Sequence, residues 1–406
     1  MEVMTNYPMA QADFTGLTAL SAGLATCLAD QNSYSKNLVF SPLSIYAALA
    51  LLAAGARGDT LDEILRVVGA RSPGELEELV ARVSAAGALK DQSDSGGPHV
   101  AFACGIWSEL TCPLKPAFLD AVVGKYKAEA SAVDFVRNSE AAREQINAWV
   151  AQATNNLIKS VFARGSITSD TRVVLGNAIY FKGKWEHPFD KNRTTNKLFH
   201  LIHGGTVDVP FMQSSDRQFI AVHDGFKVLQ LRYKMAQAQG YVDRNKRTQF
   251  SMCIFLPDAR DGLPNLVDMI ASRPGFLHEH LPKKMVRVDK FRVPRFKLSF
   301  ESSLVAVLKK LGLRLPFGHH ADLSDIVESG SPMFVSDVFH KAVIEVNEEG
   351  TEAAAVTMIS CKLTSLRSAL PPPRVDFVAE HPFAYFVVEE GTGAIVFAGH
   401  VLDPST

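Results

Sequence analysis

Cysteine is scarce in this chain of 406 residues, and its pattern excludes several classes of protein. The five cysteines are odd in number, irregularly spaced and form no Cys-x-x-Cys pair; they are Cys27, Cys104, Cys112, Cys253 and Cys361. Neither a zinc ribbon nor a thioredoxin-type redox pair fits this spacing. A disulfide framework does not fit either, because such frameworks belong to short chains that are dense in cysteine.

The N-terminal region lacks the basic residues with which a secretory signal begins. The stretch Leu17–Ala29 is apolar, but no Lys or Arg precedes Lys36, whereas Glu2 and Asp13 do. The apolar run Ile45–Ala56 is much shorter than the roughly 20 residues that span a bilayer. We therefore expect a cytoplasmic or nucleocytoplasmic protein without membrane contact. It would be extracellular only after cell damage or unconventional release.

The motifs of common enzyme classes are also missing. The chain has no glycine-rich phosphate loop and no Gly-x-Ser-x-Gly elbow. Its formal net charge of −1 is unlike that of a nucleic-acid binder, and its 47% hydrophobic content is ample for a core. The composition predicts a protein that is not an enzyme and that needs no cofactor or nucleic acid.

Four local clusters resemble binding or modification sites but carry little weight. The histidine groups His278-Glu279-His280 and His319-His320-Ala321-Asp322 are too local to give facing metal ligands, so we predict no metal site. The sequon Asn192-Arg193-Thr194 matters only on a secretory route. A basic run could attract a polyanion or form a solvated sheet face interrupted by Asp289; it comprises Lys283, Lys284, Arg287, Lys290, Arg292, Arg295 and Lys297.

The segment Asp94-Ser95-Gly96-Gly97-Pro98 resembles the nucleophile signature of a serine protease. A triad of that type needs a histidine base and an orienting aspartate earlier in the chain. No histidine precedes Ser95. We interpret the segment as a turn before a strand over Val100–Trp107.

Periodic patterns indicate one domain of the α+β class, since no linker divides the chain. Ser41-Pro42 is typical of a helix start, with serine as N-cap and proline in the first turn. Apolar residues recur at helical spacing over Leu61–Val68 and Glu75–Val83. Strand patterns occur at Val100–Phe102, Val173–Phe181, Phe250–Leu256, Val286–Val293, Ala342–Val346, Ala384–Val388 and Ala394–Ala398.

The most informative segment runs from Glu348 to Thr357, after a strand-like run that ends at Val346. Its composition also suits an alanine-rich helix. As a strand, however, it would place a row of uncharged and mostly small residues on one face: Thr351, Ala353, Ala355, Thr357, Ile359 and Cys361. Because Gly350 offers a backbone hinge, the segment is typical of a conformational switch.

This segment and several others, in order along the chain, resemble the serpin family. The matching motifs are Asn37-Leu38-Val39-Phe40-Ser41-Pro42-Leu43-Ser44-Ile45, Asn177-Ala178-Ile179-Tyr180-Phe181-Lys182-Gly183-Lys184-Trp185, Phe255-Leu256-Pro257-Asp258, Glu348-Glu349-Gly350-Thr351-Glu352-Ala353-Ala354-Ala355, His381-Pro382-Phe383 and Phe397-Ala398-Gly399-His400-Val401. The resemblance covers residues 12–404. The segments beginning at Asn347 and Asp376 are similar to the plant branch of the family.

The resemblance implies a single serpin domain over residues 12–404, with eight to nine helices around three β-sheets and an exposed reactive-centre loop at about 350–375. It implies an irreversible suicide-substrate inhibitor of serine proteases, or of cysteine proteases, that traps the acyl-enzyme by inserting the cleaved loop into the central sheet. The alternative is a non-inhibitory serpin that serves as a storage, chaperone or binding module. Either form is expected to be a monomer.

The resemblance also assigns roles to individual residues. The hinge comprises Glu348, Gly350, Thr351, Glu352, Ala353, Ala354 and Ala355. The group expected beneath the opening sheet, called the shutter, comprises Ser41, Ser44, Asn177 and His381. Trp185 marks the breach, where insertion begins. We expect Glu348 to pair with a basic residue of the adjacent strand, with Lys297 as the candidate.

Two bonds compete as the reactive bond of the loop. Counting fifteen positions from Gly350 ends at Thr364, so the bond is predicted to be Thr364–Ser365, which suits an elastase-like protease. The segment Leu366-Arg367-Ser368 offers Arg367–Ser368, which suits a trypsin-like or a papain-like, basic-specific cysteine protease. The second choice adds three residues, or roughly 10 Å of slack, to the loop.

Overall fold

The computed structural model describes residues 15–31, 34–237, 248–273, 275–328, 333–350 and 374–406. The α-helices of these residues are α1 Thr15–Gln31, α2 Pro42–Ala53, α3 Gly58–Val68, α4 Pro73–Ala85, α5 Pro116–Ala121, α6 Phe135–Ala153, α7 Leu263–Ser272, α8 Phe276–Glu279 and α9 Val305–Lys310. The predicted helix start is confirmed, because the Ser41 side chain accepts a hydrogen bond from the backbone N–H of Ser44. The two predicted helical stretches lie within α3 and α4.

Sixteen strands occur in the described ranges. They are β1 Leu38–Phe40, β2 His99–Glu109, β3 Glu129–Val133, β4 Val173–Lys182, β5 Thr195–His200, β6 Thr206–Gln213, β7 Gln218–His223, β8 Phe226–Arg232, β9 Phe250–Pro257, β10 Met285–Val286, β11 Val288–Pro294, β12 Phe296–Ser303, β13 Val335–Val346, β14 Val375–Val378, β15 Phe383–Glu389 and β16 Ile395–Val401. Each strand predicted from the sequence has a counterpart. The predicted strand Val286–Val293 divides into β10 and β11, because the two parts join different sheets.

The strands form three sheets, as the resemblance implies. Sheet A has five strands in the order β12-β13-β4-β2-β3. Sheet B has seven strands in the order β1-β16-β15-β9-β8-β7-β10, and sheet C has four in the order β14-β11-β6-β5. The protein is therefore a mixed α+β structure with three sheets.

The centre of sheet A is a parallel pair of strands that are distant in sequence. β13 pairs with β4 in parallel, with Ile344 opposite Phe181 and His340 opposite Asn177. Their outer neighbours, β12 and β2, are antiparallel to them. A further strand between β4 and β13 would run antiparallel to both, as the hairpin return from the end of β13 requires.

The two faces of sheet A contact separate apolar clusters. The inner face of β4, with Phe181, Ile179 and Leu175, packs into the large core shared with α2 and sheet B. The outer face packs beneath α6 around Trp107 and Phe162. Because both faces are covered, any residue added at the centre of this sheet must bury its side chain.

The turn predicted before β2 and the two histidines of the first histidine group lie within the described residues. A short 3₁₀ turn at Ser93–Ser95 precedes β2, in agreement with the turn interpretation. His278 contacts the carbonyl oxygen of Gly393, and His280 stacks on Phe276. In the described part of the chain no His, Cys, Asp and Glu side chains cluster as metal ligands, and no helix is long and apolar enough to cross a membrane.

Candidate functional site: hinge, breach and shutter

The hinge begins where β13 ends, in a tight return from Asn347 to Gly350. Gly350 has a φ of +116° and forms an isolated bridge with Lys184, just beyond the end of β4. A Cβ atom at position 350 would lie 2.1 Å from the carbonyl oxygen of Gly183. Glycine is therefore required here by both the backbone conformation and the close approach.

Trp185, the residue predicted to mark the breach, contacts this return through its backbone and its ring. Its backbone N–H donates to the carbonyl oxygen of Glu349 at 2.8 Å, and its indole Nε1–H donates to that of Asn347, also at 2.8 Å. The ring stacks on Tyr233 with centroids 4.4 Å apart and an interplanar angle of 20°. The ring and backbone of Trp185 thus fix the position at which the chain leaves sheet A.

Glu348 is anchored by residues that sequence reasoning missed. Its side chain is only 6% exposed, and its Oε1 accepts a hydrogen bond from Thr194 Oγ1 at 2.7 Å and lies 3.6 Å from the Arg295 guanidinium. The predicted partner Lys297 is wrong, because Lys297 pairs with Glu345 at 3.3 Å. In the β12–β13 register Lys297 lies opposite Glu345, three residues before Glu348.

Glu349 forms a second attachment, an ion pair with Lys191. Lys191 belongs to a short 3₁₀ turn that also carries the exposed Asn192 of the sequon. The cations and carboxylates of the two attachments surround a polar cavity of about 400 Å³. One short turn therefore connects to both hinge carboxylates, through Lys191 and Thr194, and we call this arrangement the hinge latch.

Three of the four predicted shutter residues meet beneath the centre of sheet A. Ser44 Oγ donates to Asn177 Oδ1 at 3.4 Å, and Asn177 Nδ2 donates to the Ser44 carbonyl oxygen at 3.2 Å. The backbone N–H of Ser41 donates to Nε2 of His340 at 3.0 Å, and Nδ1 of His340 contacts Asn177 Oδ1. The fourth member is thus His340, a residue that the sequence analysis did not single out.

His340 holds a defined protonation state. Since its Nε2 accepts from the Ser41 N–H, the ring proton lies on Nδ1 and is donated to Asn177. Burial lowers the pKa of His340 to about 3. The neutral ring thereby connects α2, β4 and β13 at a single point. The inward alternation of β13, in which His340 precedes Ala342 and Ile344 on the core side, was the available sequence signal.

The prediction that His381 belongs to the shutter is wrong. His381 lies just before β15, and its Nε2 contacts the carbonyl oxygen of Pro257 at 2.8 Å. Burial lowers the pKa of His381, and the hydrogen bond that the ring donates to the Pro257 carbonyl oxygen opposes this shift only in part. The residue therefore fastens the end of β9 in sheet B, whereas the position beside Asn177 is taken by His340.

The other predicted hinge residues and both candidate bonds lie outside the described residues. These are Thr351, Glu352, Ala353, Ala354, Ala355, Thr364, Ser365, Arg367 and Ser368. Their roles stay predictions.

Comparison with known proteins identifies the class to which this hinge and shutter belong. The family model described as serpin (serine protease inhibitor) matches residues 15–404. The chain belongs to the serpin family, a family described as serine protease inhibitors, in which the partners of the inhibitory members are target proteases.

The relatives place it among the plant serpins of the Z type. Serpin-Z2A of Oryza sativa subsp. japonica is 48% identical, with 97% of this chain and 98% of the relative covered. Serpin-Z1C of Triticum aestivum is 43% identical, with 94% and 93% covered. The structure of Arabidopsis AtSerpin1 in its native stressed conformation is similar, with a TM-score of 0.88, 38% identity and coverage of 98% and 99%.

Proposed function

We propose that this protein is an irreversible suicide-substrate inhibitor of serine proteases. The target would attack the reactive bond and form an acyl-enzyme. The freed chain, still attached at Gly350, would then enter sheet A between β4 and β13 as an additional strand and carry the acylated protease with it. Insertion of a serpin loop into a sheet is a known case of strand addition and of the release of stored strain.

The observation that supports this proposal most strongly is the agreement of two registers at the hinge. Gly350 bridges both Lys184 and Asn347 in antiparallel sense. Continued from these bridges, the entering strand would bring Ala353 opposite both Phe181 and Ile344. These two residues already lie opposite each other in the β4–β13 pairing. One strand can therefore enter without a slip in register on either side.

The same register would place Thr357 between Asn177 and His340. These residues already form a direct cross-strand pair and share a hydrogen bond. The Thr357 hydroxyl, which can both donate and accept, is suited to replace that contact. Insertion would thus open the shutter while leaving its polar groups with a partner.

The sizes of the side chains of the entering strand also fit this register. Ala355 would lie opposite Ile179 and Ala342, which face the large core. Met358 would lie opposite Gly176 and Phe339, on the apolar face of the sheet that packs around Trp107 and Phe162. This gives a place to a methionine that is otherwise unusual in such a segment.

The energy of insertion is sufficient to damage an attached enzyme. If about ten to fifteen new ladder hydrogen bonds each contribute about 1 kcal/mol net, the gain is on the order of 10 kcal/mol. That is comparable to the whole stability of a typical domain. Deacylation by a distorted protease would stall, which makes inhibition irreversible.

We propose Thr364–Ser365 as the reactive bond and an elastase-like enzyme as the target class. From Gly350 to Thr364 the strand would span on the order of 45 Å, and it would reach past Val173, where β4 begins. Cleavage after Arg367 would leave three residues of slack and weaken the pull on the protease.

The proposal is tested by incubation with elastase-like, trypsin-like and papain-like proteases, followed by denaturing gels and mass spectrometry of the released C-terminal peptide. We expect a covalent complex and a peptide that begins at Ser365. A peptide that begins at Ser368 would identify Arg367 as the recognised residue. Cleavage without a complex for every enzyme would contradict inhibition and favour the non-inhibitory alternative.

A further inference from the structure

The basic run of the sequence divides into two parts in the structure. Arg295 lies 3.6 Å from Glu348 and Lys297 lies 3.3 Å from Glu345, so these two cations are paired with carboxylates at the end of β13 and the hinge. The fully exposed cations that remain lie on and beside β10 and β11; they are Lys283, Lys284, Arg287 and Lys290. None of these four forms an ion pair with another of the residues that the structure describes.

The backbone of this basic segment holds the end of the predicted reactive-centre loop. The N–H of Val375, the first residue of β14, donates to the Arg287 carbonyl oxygen at 3.0 Å. Asp289, the one acidic residue between positions 283 and 290, pairs with Arg374 at 3.0 Å. The four exposed cations are therefore uncompensated at the base of the loop, and we call them the loop-base cations.

A cavity of about 360 Å³ lies beside Lys290 and mixes charges of both signs. Its lining includes three cations and three carboxylates, namely Lys227, Lys290, Arg292, Asp258, Asp376 and Glu380. Lys227 lies 3.7 Å from Asp258, and Asp376 Oδ1 accepts a hydrogen bond from the backbone N–H of Lys290 at 3.0 Å. The side chains of Lys290 and Arg292 form no ion pair in the described part of the chain. The cavity thus has the space and the charge for a carboxylate that the described residues do not supply.

A protease that attacks either candidate bond must come close to this surface. From Thr364 to Arg374 the chain can span at most about 35 Å, and from Arg367 to Arg374 at most about 25 Å. A protease of about 220 residues is on the order of 45 Å across. The rim of its active-site cleft therefore faces the loop-base cations while the bond is attacked.

The mixture of charges favours a protein surface over a continuous polyanion as the partner. The carboxylates of Asp258, Asp376 and Glu380 lie among the cations of the cavity, and they would repel a uniformly charged polymer laid across them. A protein surface can place single carboxylates beside Lys290 and Arg292 and keep its own cations beside the acidic residues. Since the formal net charge of the whole chain is only −1, the attraction is confined to this region.

We propose that the loop-base cations form a second contact surface for the target protease, which selects proteases with acidic residues beside the active-site cleft. The inference rests on the proposed function and narrows the class of target. The contact forms before the bond is cleaved. It therefore raises the rate of association, as charges at the rim of an interface do, and leaves the later trapping step unchanged.

The test measures the second-order rate at which a protease attacks the loop, taken as the loss of intact inhibitor whether a complex or a cleaved product forms. The probe is whichever elastase-like, trypsin-like or papain-like protease attacks the loop fastest, used unmodified and succinylated, since succinylation replaces surface ammonium groups with carboxylates. Lys290→Glu and Lys284→Glu are compared with Lys36→Glu. Lys36 is exposed and precedes β1, which lies at the opposite edge of sheet B from β10.

At an ionic strength of about 0.1 M, where charges more than about 10 Å apart are screened, we expect Lys290→Glu and Lys284→Glu to slow attack by the succinylated protease at least about threefold. About 1 M salt should remove the difference. Attack by the unmodified protease should slow less, and Lys36→Glu should match the parent throughout. The unfolding temperature and the fraction of attacked inhibitor that forms a covalent complex should stay unchanged in all three variants.

Equal rates of attack on the parent, Lys290→Glu and Lys284→Glu by the succinylated protease would overturn the inference. So would an equal slowing by Lys36→Glu, because the effect would then come from the charge of the whole molecule. Retention of the parent on immobilised dextran sulfate at about 0.15 M salt, lost in Lys290→Glu without any change in the rate of attack, would assign the cations to a polyanion instead. Cleavage without a covalent complex would contradict the proposed function but leave the comparison of rates intact, so the two failures are distinguishable.

Discussion

Asn177 and His340 lie directly opposite each other in the parallel pairing of β4 and β13, and they share a hydrogen bond at the centre of sheet A. The contact joins the two strands that must separate if a strand is to enter between them. Ser41 and Ser44, at the start of α2, complete the group from below. A few polar contacts, rather than an apolar seam alone, thus hold this part of the sheet closed.

Acid should loosen this contact. The pKa of His340 is about 3 in the folded protein and about 6.5 when the chain is unfolded. Because the folded value is lower, the unfolded chain binds a proton first, and stability falls as the pH drops from about 6.5 towards 3. Above pH 6.5 this contribution to stability is complete. The slope from His340 alone is at most about 1.4 kcal/mol per pH unit.

The variant His340→Gln isolates this contribution. It should be less stable than the parent at pH 7.5, yet lose less stability between pH 6.5 and 4.5, as measured by urea unfolding. The control is His203→Gln, which removes a histidine from the exposed surface instead of from the centre of sheet A. Parallel pH profiles for the parent and His340→Gln would show that His340 does not titrate with unfolding.

Removal of the Thr194 hydroxyl should weaken the hinge latch. Thr194→Val keeps the shape of the side chain but leaves the buried Glu348 carboxylate without its 2.7 Å donor. A hydrogen bond to a charged group contributes about 1.5–3 kcal/mol. We expect the intact protein to lose stability by this order, as measured by urea unfolding. The control is Thr195→Val on the exposed part of β5, which removes only an exposed hydrogen bond from Gln213 Nε2 and should therefore cost much less stability than Thr194→Val.

Substitution of the hinge glycine should be more damaging than substitution of an unconstrained glycine. Gly350→Ala combines a positive φ with a contact of 2.1 Å to the Gly183 carbonyl oxygen, a backbone atom that no side-chain rotation can move aside. Gly204→Ala has a positive φ of +90° but nothing within 4 Å of the new Cβ. We expect the loss of stability to be about 1 kcal/mol for Gly204→Ala and clearly larger for Gly350→Ala. Equal losses in urea unfolding would contradict the close packing of the hinge.

Local sequence predicted the features that depend on neighbouring residues. The Ser41 cap, the 3₁₀ turn before β2 and the glycine of the hinge all follow from chemistry within a few positions. Contacts between distant strands could not be obtained in this way. The sequence analysis assigns His381 to the place beside Asn177 that His340 occupies in the structure. Neither β4 nor β13 contains a local pattern that predicts their pairing, since they are over 150 residues apart in the chain.

The partner of Glu348 was missed for the same reason. Lys297 and Arg295 lie two residues apart, and both belong to the basic run of the sequence. Which of them reaches the hinge depends on the register of β12 against β13, and that register places Lys297 beside Glu345. A one-residue difference in register would exchange the faces of a strand, so composition alone cannot decide between such candidates.

Two adjacent substitutions in the loop separate insertion from simple cleavage. In the continued register Thr351 would face the core opposite Gly183 and Val346, whereas Glu352 would lie on the other face opposite the partly exposed Lys182 and Glu345. Thr351→Arg would force a charge towards the core, which is strongly unfavourable without a partner. Glu352→Arg would place its charge near solvent.

We therefore expect a target protease to cleave both variants but to be trapped by Glu352→Arg alone. The measurement is the yield of covalent complex on denaturing gels, with the unfolding temperature of each cleaved protein as a second readout. Cleaved Glu352→Arg should gain thermal stability, as the parent does, and cleaved Thr351→Arg should not. Since the two arginines are neighbours in sequence and differ in the face they would occupy, equal complex yields would contradict the register. A normal yield from Thr351→Arg would contradict loop insertion itself.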